Sequence, residues 1–133
     1  MNLRDITPLV LTFNEGPNIG RCLEQLRWAT RVVVIDSGST DNTAAICGEF
    51  PNVARIERSF DNHTAQWNFG LDQITTNWVL TLDADYLLTD EFVAELRDLE
   101  SSESPGSARA WSVGFYYVLA GKRLRGTLYP PRV

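Results

Sequence analysis

The sequence predicts an α/β fold in which helices cover both faces of a mostly parallel sheet. Short apolar runs alternate with segments of helical periodicity over the first hundred residues, which is the pattern of β-α units. Two of the apolar runs are almost continuous, as expected for strands buried on both faces. Polar clusters directly follow three of the runs. Ligands bind such sheets at the carboxyl ends of the strands, near the point where the strand order reverses, so these clusters mark the expected site.

The predicted strands are the four apolar runs. The first contains Pro8, which predicts a strand that is irregular or near an edge at that point. The second run and the fourth are typical of buried strands. They are Arg31-Val-Val-Val-Ile-Asp36 and Trp78-Val-Leu-Thr-Leu82. The expected strands are therefore 6–12, 31–36, 53–57 and 78–82.

The predicted helices lie between and after these strands. The first has an apolar stripe of helical period from Ile19 to Leu26. Ser39 or Thr40 is expected to cap the second helix, and Thr89 the fourth, because short hydroxyl side chains accept hydrogen bonds from free N–H groups. The expected helices are 18–28, 41–50, 63–74 and 89–100.

Beyond a Ser-rich loop at 101–107, the pattern changes to that of a β-hairpin. Apolar side chains alternate with their neighbours over 111–119, which predicts a strand. The face that carries Trp111 and Tyr117 is expected to be core. Gly121-Lys122 is predicted to form the turn before a second short strand.

Composition and charge exclude several classes of protein. The chain has 133 residues, 44% of them hydrophobic, and a formal net charge of -5. This predicts a soluble globular domain and argues against a nucleic-acid partner bound through a basic surface. The sequence has no apolar run of the roughly 20 residues that span a bilayer. The first residues, Met1-Asn-Leu-Arg-Asp5, have no apolar signal core, so secretion is not expected. Cys22 and Cys47 are expected to be buried free thiols in a reducing compartment, rather than a disulfide.

Asp83 and Asp85 are the most informative pair of residues. They lie two positions apart at the end of a strand, so both carboxylates are expected on the same side. Two carboxylates held together repel each other unless a cation or a proton intervenes. Carboxylate oxygens suit Mg²⁺ or Mn²⁺, which also bridge a diphosphate. The pair therefore favours a metal site over an acidic surface turn.

The segment Asp36-Ser-Gly-Ser-Thr-Asp41 leads from a buried strand into a helix. Its glycine, its small hydroxyl groups and its free backbone N–H groups are typical of an anion or nucleotide site. It lacks the Gly-Lys pair of a P-loop and the glycine spacing of a dinucleotide fingerprint. A well-capped helix with Asp36 as a turn residue is the alternative.

Taken in order, these motifs resemble the family 2 glycosyltransferases with the GT-A fold, and among them the bacterial lipopolysaccharide-core and envelope-sugar transferases. The resemblance covers nearly the whole chain, and its motifs are specific in combination and weak singly. It is carried by Thr12-Phe-Asn-Glu15, Val34-Ile-Asp-Ser-Gly-Ser-Thr-Asp41, Gln66-Trp-Asn-Phe-Gly-Leu71, Asp83-Ala-Asp85, Gly121-Lys-Arg-Leu124 and Leu128-Tyr-Pro130.

The resemblance implies a nucleotide-diphospho-sugar donor, with a UDP-sugar favoured, and Mg²⁺ or Mn²⁺ as cofactor. It implies inverting transfer to an envelope glycan or lipid-linked acceptor by a cytoplasmic enzyme, with peripheral contact at the inner membrane face. It places Asp36 at the base, Asp83 at the ribose or sugar, and Asp85, together with Asp83, at the metal. The other donor contacts that it implies are Thr12, Asn14, Glu15, Ser37, Gly38 and Asn68, with Asn68 and Gly70 in the segment that closes over the donor.

The sequence departs from the family pattern in two places. Trp67 stands where the family often has a basic residue, which removes a cation near the diphosphate unless Gln66 or Arg58 substitutes. The family's catalytic base is expected beyond Val133, with most of the acceptor site. Residues 1–133 are therefore expected to form a single donor-binding domain that is truncated at its C-terminus.

Other functions remain open from the residues alone. The same fold without the base predicts a nucleotide-sugar-binding module that performs no transfer. A nucleotidyltransferase also holds metal on a doubly wound sheet, and Asn14-Glu-Gly-Pro17 is a poor substitute for its Gly-rich basic signature. A receiver domain would need a lone aspartate and a later lysine, which the Asp-x-Asp pair argues against. Fold alone separates none of these functions.

Two lesser features have a structural and a functional interpretation. His63, the sole histidine, is expected to lie at the start of a helix in a capping or surface role rather than as a general base. A small basic cluster near the end of the chain is expected to lie on a solvated hairpin. It consists of Lys122, Arg123 and Arg125, and contact with anionic lipid or an acidic acceptor is the alternative.

Overall fold

The computed structural model describes residues 2–98, 110–111 and 113–124. The chain divides into two compact units, Met1–Glu103 and Ser104–Val133. The strands are β1 (Ile6–Thr12), β2 (Val32–Asp36), β3 (Val53–Glu57), β4 (Trp78–Asp83), β5 (Val118–Leu119) and β6 (Lys122–Arg123). The helices are α1 (Gly16–Glu24), α2 (Thr43–Cys47), α3 (His63–Leu71) and α4 (Asp90–Asp98), preceded by a 3-10 turn at Leu3–Asp5.

The first unit is built on a four-stranded parallel sheet. Its strand order is β3-β2-β1-β4, so the chain adds strands on one side of β1 and then crosses to the other. The order therefore reverses between β1 and β4. Pairing of β1 with β2 begins at Leu9, so Pro8, which lacks an N–H, precedes the part of the strand that is paired on both sides.

Helices cover both faces of this sheet, as predicted. Successive side chains of a strand point to opposite faces, so β2 contributes to both cores. On one face Val32 and Val34 pack with the apolar stripe of α1 and with Cys47 of α2. On the other face Val33 and Ile35 pack with Trp67 and Phe69 of α3. The sheet is thus buried in the middle, and its strand ends are left to form the site.

The α3 helix packs very closely on the sheet at Gly70. A methyl group placed on this glycine would lie 2.7 Å from one terminal carbon of Leu9 and 3.2 Å from Ile35. Leu9 and Ile35 are fully buried, so neither side chain has free space to move into. The close approach gives a structural reason for the glycine that the family resemblance had placed in a donor-closing segment.

We expect Gly70→Ala to lower the free energy of unfolding by about 1–3 kcal/mol, the usual effect of overpacking a core. Urea denaturation would measure the change. Gly114→Ala is the matched control, because a methyl group at Gly114 meets no atom within 4 Å. An equal, small change in both variants would contradict the close packing of α3.

The first three helices differ from their predicted limits. The second helix is limited to Thr43–Cys47 and begins after Asn42, because Ser39 and Thr40 bond to other groups instead of capping it. The first helix and the third end earlier than predicted, at Glu24 and Leu71. Thr89 does cap the fourth helix, where its Oγ1 accepts a hydrogen bond from the N–H of Phe92 at 3.2 Å.

The described part of the second unit contains a shorter hairpin than the sequence predicts. Among the described residues of this unit, only 118–119 and 122–123 pair, and the turn lies at Ala120-Gly121, where both residues have positive φ. The described residues of 110–117 form no strand, and Trp111 is 51% exposed, so its assignment to a core was wrong. Alternation alone does not make a strand when no partner strand pairs with it. Arg125 lies outside the described residues, and the Arg123 guanidinium stacks 3.1 Å from the ring centre of Tyr116.

Cys22 and Cys47 are buried free thiols, as predicted. Burial, with smaller effects from the charge of Asp85 and from Cys47, raises the pKa of Cys22 to about 12. Burial raises the pKa of Cys47 to about 11, with a smaller effect from the charge of Asp36. Both thiols are therefore expected to be protonated at neutral pH, which is typical of structural cysteines.

We expect neither thiol to react with a disulfide reagent at pH 8 in the native protein, and both to react once urea unfolds it. Because folding raises both pKa values above the ordinary 9.0, the stability that the protonated thiols contribute is present below pH 9. It is lost as the pH rises toward 11 and 12. Rapid labelling of the native protein at pH 8 would contradict this account.

Candidate functional site

A cleft opens at the carboxyl ends of β1 and β4, where the strand order reverses. This is the place at which open α/β sheets bind ligands. The cleft has a volume of about 610 Å³, within the range of small-molecule sites. It is lined by Leu11, Thr12, Phe13, Glu15, Ser37, Phe60, His63, Gln66, Asp83, Ala84 and Asp85.

Asp83 and Asp85 lie together in this cleft, as the sequence predicted. Asp83 is the last residue of β4 and pairs with Leu11 of β1. Its carbonyl accepts a hydrogen bond from Tyr86 in a turn, at 3.0 Å, and Asp85 lies within this turn. Both side chains are exposed, and among the described residues no group donates a hydrogen bond to either carboxylate. The two carboxylates are therefore free to bind a ligand.

Thr12 and Glu15 bring the end of β1 to the same cleft. Thr12 is 4% exposed, and its Oγ1 has no hydrogen-bond partner among the described residues. A buried hydroxyl without a partner is unfavourable, so this group is suited to a ligand or a water molecule. Glu15 lies at the N-terminus of α1, where its Oε2 accepts a hydrogen bond from Asn18 at 2.8 Å.

Asn14 and Gly38 shape the loop after β2 and do not line the cleft. Asn14 has a left-handed backbone (φ 53), which places its Oδ1 where it accepts a hydrogen bond from the N–H of Thr40 at 2.8 Å. Its own N–H donates to Ser39 Oγ at 2.8 Å. Gly38 has φ 88, a conformation that favours glycine. Asn14 thus joins the end of β1 to the loop of β2.

Asp36 is fully buried beneath this loop. Its Oδ2 accepts a hydrogen bond from the Arg55 guanidinium at 2.9 Å, and its Oδ1 accepts from the N–H and hydroxyl of Ser39 at 2.9 and 2.6 Å. Asp36 is not among the residues that line the cleft. Because Asp36 is fully buried, a contact with a base would require the residues that cover its carboxylate to move.

Comparisons with known proteins agree with this architecture. The family model described as "Glycosyl transferase family 2" matches residues 9–105, which is most of the chain. The chain belongs to glycosyl transferase family 2. The lipopolysaccharide core biosynthesis glycosyltransferase LpsC of Rhizobium meliloti is 27% identical over 132 residues. That alignment covers 92% of this chain and 49% of LpsC, so the chain spans about half the length of this relative.

Solved structures confirm the GT-A fold of this family 2 chain. TarS of S. aureus superimposes with a TM-score of 0.61 and 23% identity, over 69% of this chain and 31% of TarS residues 1–349. The mannosyltransferase PcManGT of Pyrobaculum calidifontis, solved in complex with GDP-Man and Mn²⁺, gives a TM-score of 0.63 and 25% identity. It covers 74% of this chain and 32% of PcManGT. The predicted fold class is therefore confirmed.

The start of α3 contributes cleft residues that the prediction of the family 2 site left out. His63 and Gln66 both line the cleft, and the His63 ring packs edge-on against Phe60 with ring centres 5.2 Å apart. Asn62 Oδ1 caps the helix by accepting from Ala65 at 2.8 Å. The spacing of His63 and Gln66, three positions apart on a helix, was the signal that could have placed them on one face. Asn68 is exposed and does not line the cleft.

The charges of the cleft fit a divalent metal held jointly with a ligand. The lining residues include Glu15, Asp83 and Asp85 and contain no lysine or arginine. Within residues 2–98, 110–111 and 113–124, no three His, Cys, Asp or Glu side chains converge as a metal site. Two carboxylates with open positions suit Mg²⁺ or Mn²⁺, because these ions keep several sites for water and phosphate oxygens.

Proposed function

We propose that this chain binds a nucleotide-diphospho-sugar and Mg²⁺ or Mn²⁺ in the cleft between β1 and β4. The observation that carries the proposal is the position of Asp83 and Asp85, whose uncommitted carboxylates lie at the switch point of a family 2 fold. A diphosphate brings further negative charge to a cleft whose described lining has no lysine or arginine. A divalent ion resolves this repulsion.

Each side chain has a distinct part in this site. Asp85 and Asp83 hold the metal, which when bound neutralises the charge that develops on the departing nucleoside diphosphate. Thr12 offers its unpartnered hydroxyl to the nucleotide, and Glu15 lines the same cleft from the N-terminus of α1, where the family resemblance places it at the nucleotide. The contact of Asp36 with the base stays a prediction.

The donor and acceptor are proposed from the family and its relatives. The PcManGT neighbour is in complex with GDP-Man and Mn²⁺, which supports a nucleotide-sugar donor, and we favour a UDP-sugar for this chain. The relative LpsC is a lipopolysaccharide core biosynthesis glycosyltransferase, which supports an envelope glycan or lipid-linked acceptor for the whole protein. We propose inverting transfer from the family resemblance alone. None of the described helices is long and apolar enough to cross a bilayer. We propose peripheral contact with the inner membrane face, where such an acceptor is held.

Calorimetric titration of the chain with UDP and GDP, each with and without Mn²⁺, tests the proposal. We expect a nucleotide to bind only when Mn²⁺ is present, because the cleft alone repels the diphosphate. Binding that is equally strong after chelation of the metal would contradict the metal's role. No binding of either nucleotide at millimolar concentration would contradict the donor site itself.

A further inference from the structure

The amide of Gln66 is fully buried, and its orientation is fixed by Arg58. Its Oε1 accepts a hydrogen bond from the Arg58 guanidinium, which has only donors. Its Nε2 donates a hydrogen bond to the backbone carbonyl oxygen of Arg58, 3.2 Å away, and a carbonyl oxygen can only accept. A flipped amide would place donor against donor and acceptor against acceptor. Arg58 therefore permits only one orientation of Gln66.

Arg58 is itself held firmly. Its guanidinium donates to Asp61 at 2.9 Å and to the carbonyl of Ser59 at 3.3 Å. It also lies over the ring of Phe69, 5.2 Å from the ring centre. Its backbone N–H donates to the carbonyl of Asp36 at the end of β2. The group that orients Gln66 is thus fixed from several sides.

The orientation of Gln66 determines the polarity of Ser37. The second hydrogen of the Gln66 amide points to Ser37, and the distance from Nε2 to Oγ is 3.0 Å. A serine hydroxyl has one hydrogen, and its oxygen is already an acceptor here. Among the described residues no group accepts a hydrogen bond from Ser37 Oγ. Ser37 lines the cleft, so its hydrogen is left for a ligand.

We propose that the Ser37 hydroxyl donates a hydrogen bond to an acceptor oxygen of the bound nucleotide, and that Gln66 is the positioning residue that fixes this polarity. The inference rests on the proposed function and adds the direction of one hydrogen bond between the chain and the nucleotide. The acceptor oxygen lies on the diphosphate or on the nucleoside. Gln66 takes one of the two lone pairs of the Ser37 oxygen and cannot accept the Ser37 hydrogen, so that hydrogen is available to the ligand.

The test is a double-mutant cycle in UDP binding with Mn²⁺, followed by calorimetry. Ser37→Ala removes the donor, and we expect UDP to bind roughly 3- to 10-fold more weakly, as for one hydrogen bond. Gln66→Glu keeps the acceptor that faces Arg58 and turns the neighbouring atom into an acceptor, so Ser37 donates to it instead of to UDP. We expect a similar loss, and little further loss when Gln66→Glu is added to Ser37→Ala.

The outcomes separate the possible explanations. If the added charge of Gln66→Glu alone weakened binding, the two losses would multiply, and the positioning role would be wrong. If Ser37→Ala bound UDP with an affinity within twofold of that of the natural chain, the whole inference would be overturned and the proposed donor site would stay intact. No UDP binding by the natural chain would overturn both.

Two further measurements make the cycle decisive. Ser37→Ala leaves the bonds between Gln66 and Arg58 in place, so this variant alone decides the donor role if Gln66→Glu fails to fold. Repeating the Ser37→Ala measurement with uridine locates the acceptor. An equal loss with uridine places the acceptor oxygen on the nucleoside, and a loss seen only with UDP places it on the diphosphate.

Discussion

Asp85→Asn is expected to abolish Mn²⁺-dependent binding of UDP. Asparagine preserves the shape of the side chain and removes the negative charge, so the loss reports the interaction with the metal. Removing a residue that hydrogen-bonds to a metal ligand typically lowers metal affinity about 10- to 100-fold. Removing a carboxylate that binds the metal itself is expected to lower the affinity further. Titration of UDP at fixed Mn²⁺ concentration measures the effect directly.

Asp72→Asn is the matched control for this experiment. Asp72 is also exposed and follows α3 at the end that leads to the start of β4, away from the cleft. We expect it to bind UDP and Mn²⁺ like the natural chain. Asp85→Asn is further expected to unfold at the same urea concentration, because no described group donates to its carboxylate. Undiminished binding in Asp85→Asn would remove the basis for the metal site.

Asp36→Asn is expected to have the largest effect on stability, about 3 kcal/mol. Asp36 is fully buried, and its partner Arg55 is only 27% exposed. Removing one member of a buried ion pair leaves the other charge without compensation, which typically costs about 3–5 kcal/mol. The partial exposure of Arg55 places the expected value at the lower end. Equilibrium unfolding in urea measures it.

Glu57→Gln is the control, because Glu57 pairs with the same guanidinium at 3.3 Å. Its side chain is 65% exposed, and a pair in that setting contributes less than about 1 kcal/mol. Each variant therefore removes one carboxylate charge that pairs with Arg55, a buried one in Asp36→Asn and an exposed one in Glu57→Gln. Equal destabilisation by both would show that burial of Asp36 does not determine its contribution.

The parallel sheet could be predicted from sequence because each strand carries its own signal. Buried parallel strands have nearly continuous apolar runs, and β1 and β3 have the predicted limits. Helix ends were less predictable. The second helix is short because Ser39 bonds to Asp36 and Thr40 to Asn14, and these tertiary contacts are not visible in local sequence.

The site was predictable only in part, for a related reason. Five of the predicted residues lie in the cleft because the ends of parallel strands meet at one edge of the sheet. They are Thr12, Glu15, Ser37, Asp83 and Asp85. The helical spacing of His63 and Gln66 indicates a shared face, but whether that face meets the cleft depends on how α3 crosses the sheet. The ion pair of Asp36 was hidden likewise, since it depends on the register of β3 against β2.

Paramagnetic broadening by Mn²⁺ in the NMR spectrum of the chain tests the central claim most directly. In the presence of UDP, bound Mn²⁺ broadens the amide signals nearest to it, which locates the metal. We expect the signals of residues 12–15 and 83–86 to disappear first, with those of 37 and 63–66 next, and the signals at the start of each strand to persist. Broadening centred elsewhere, or spread evenly over the surface, would contradict a donor site at the junction of β1 and β4.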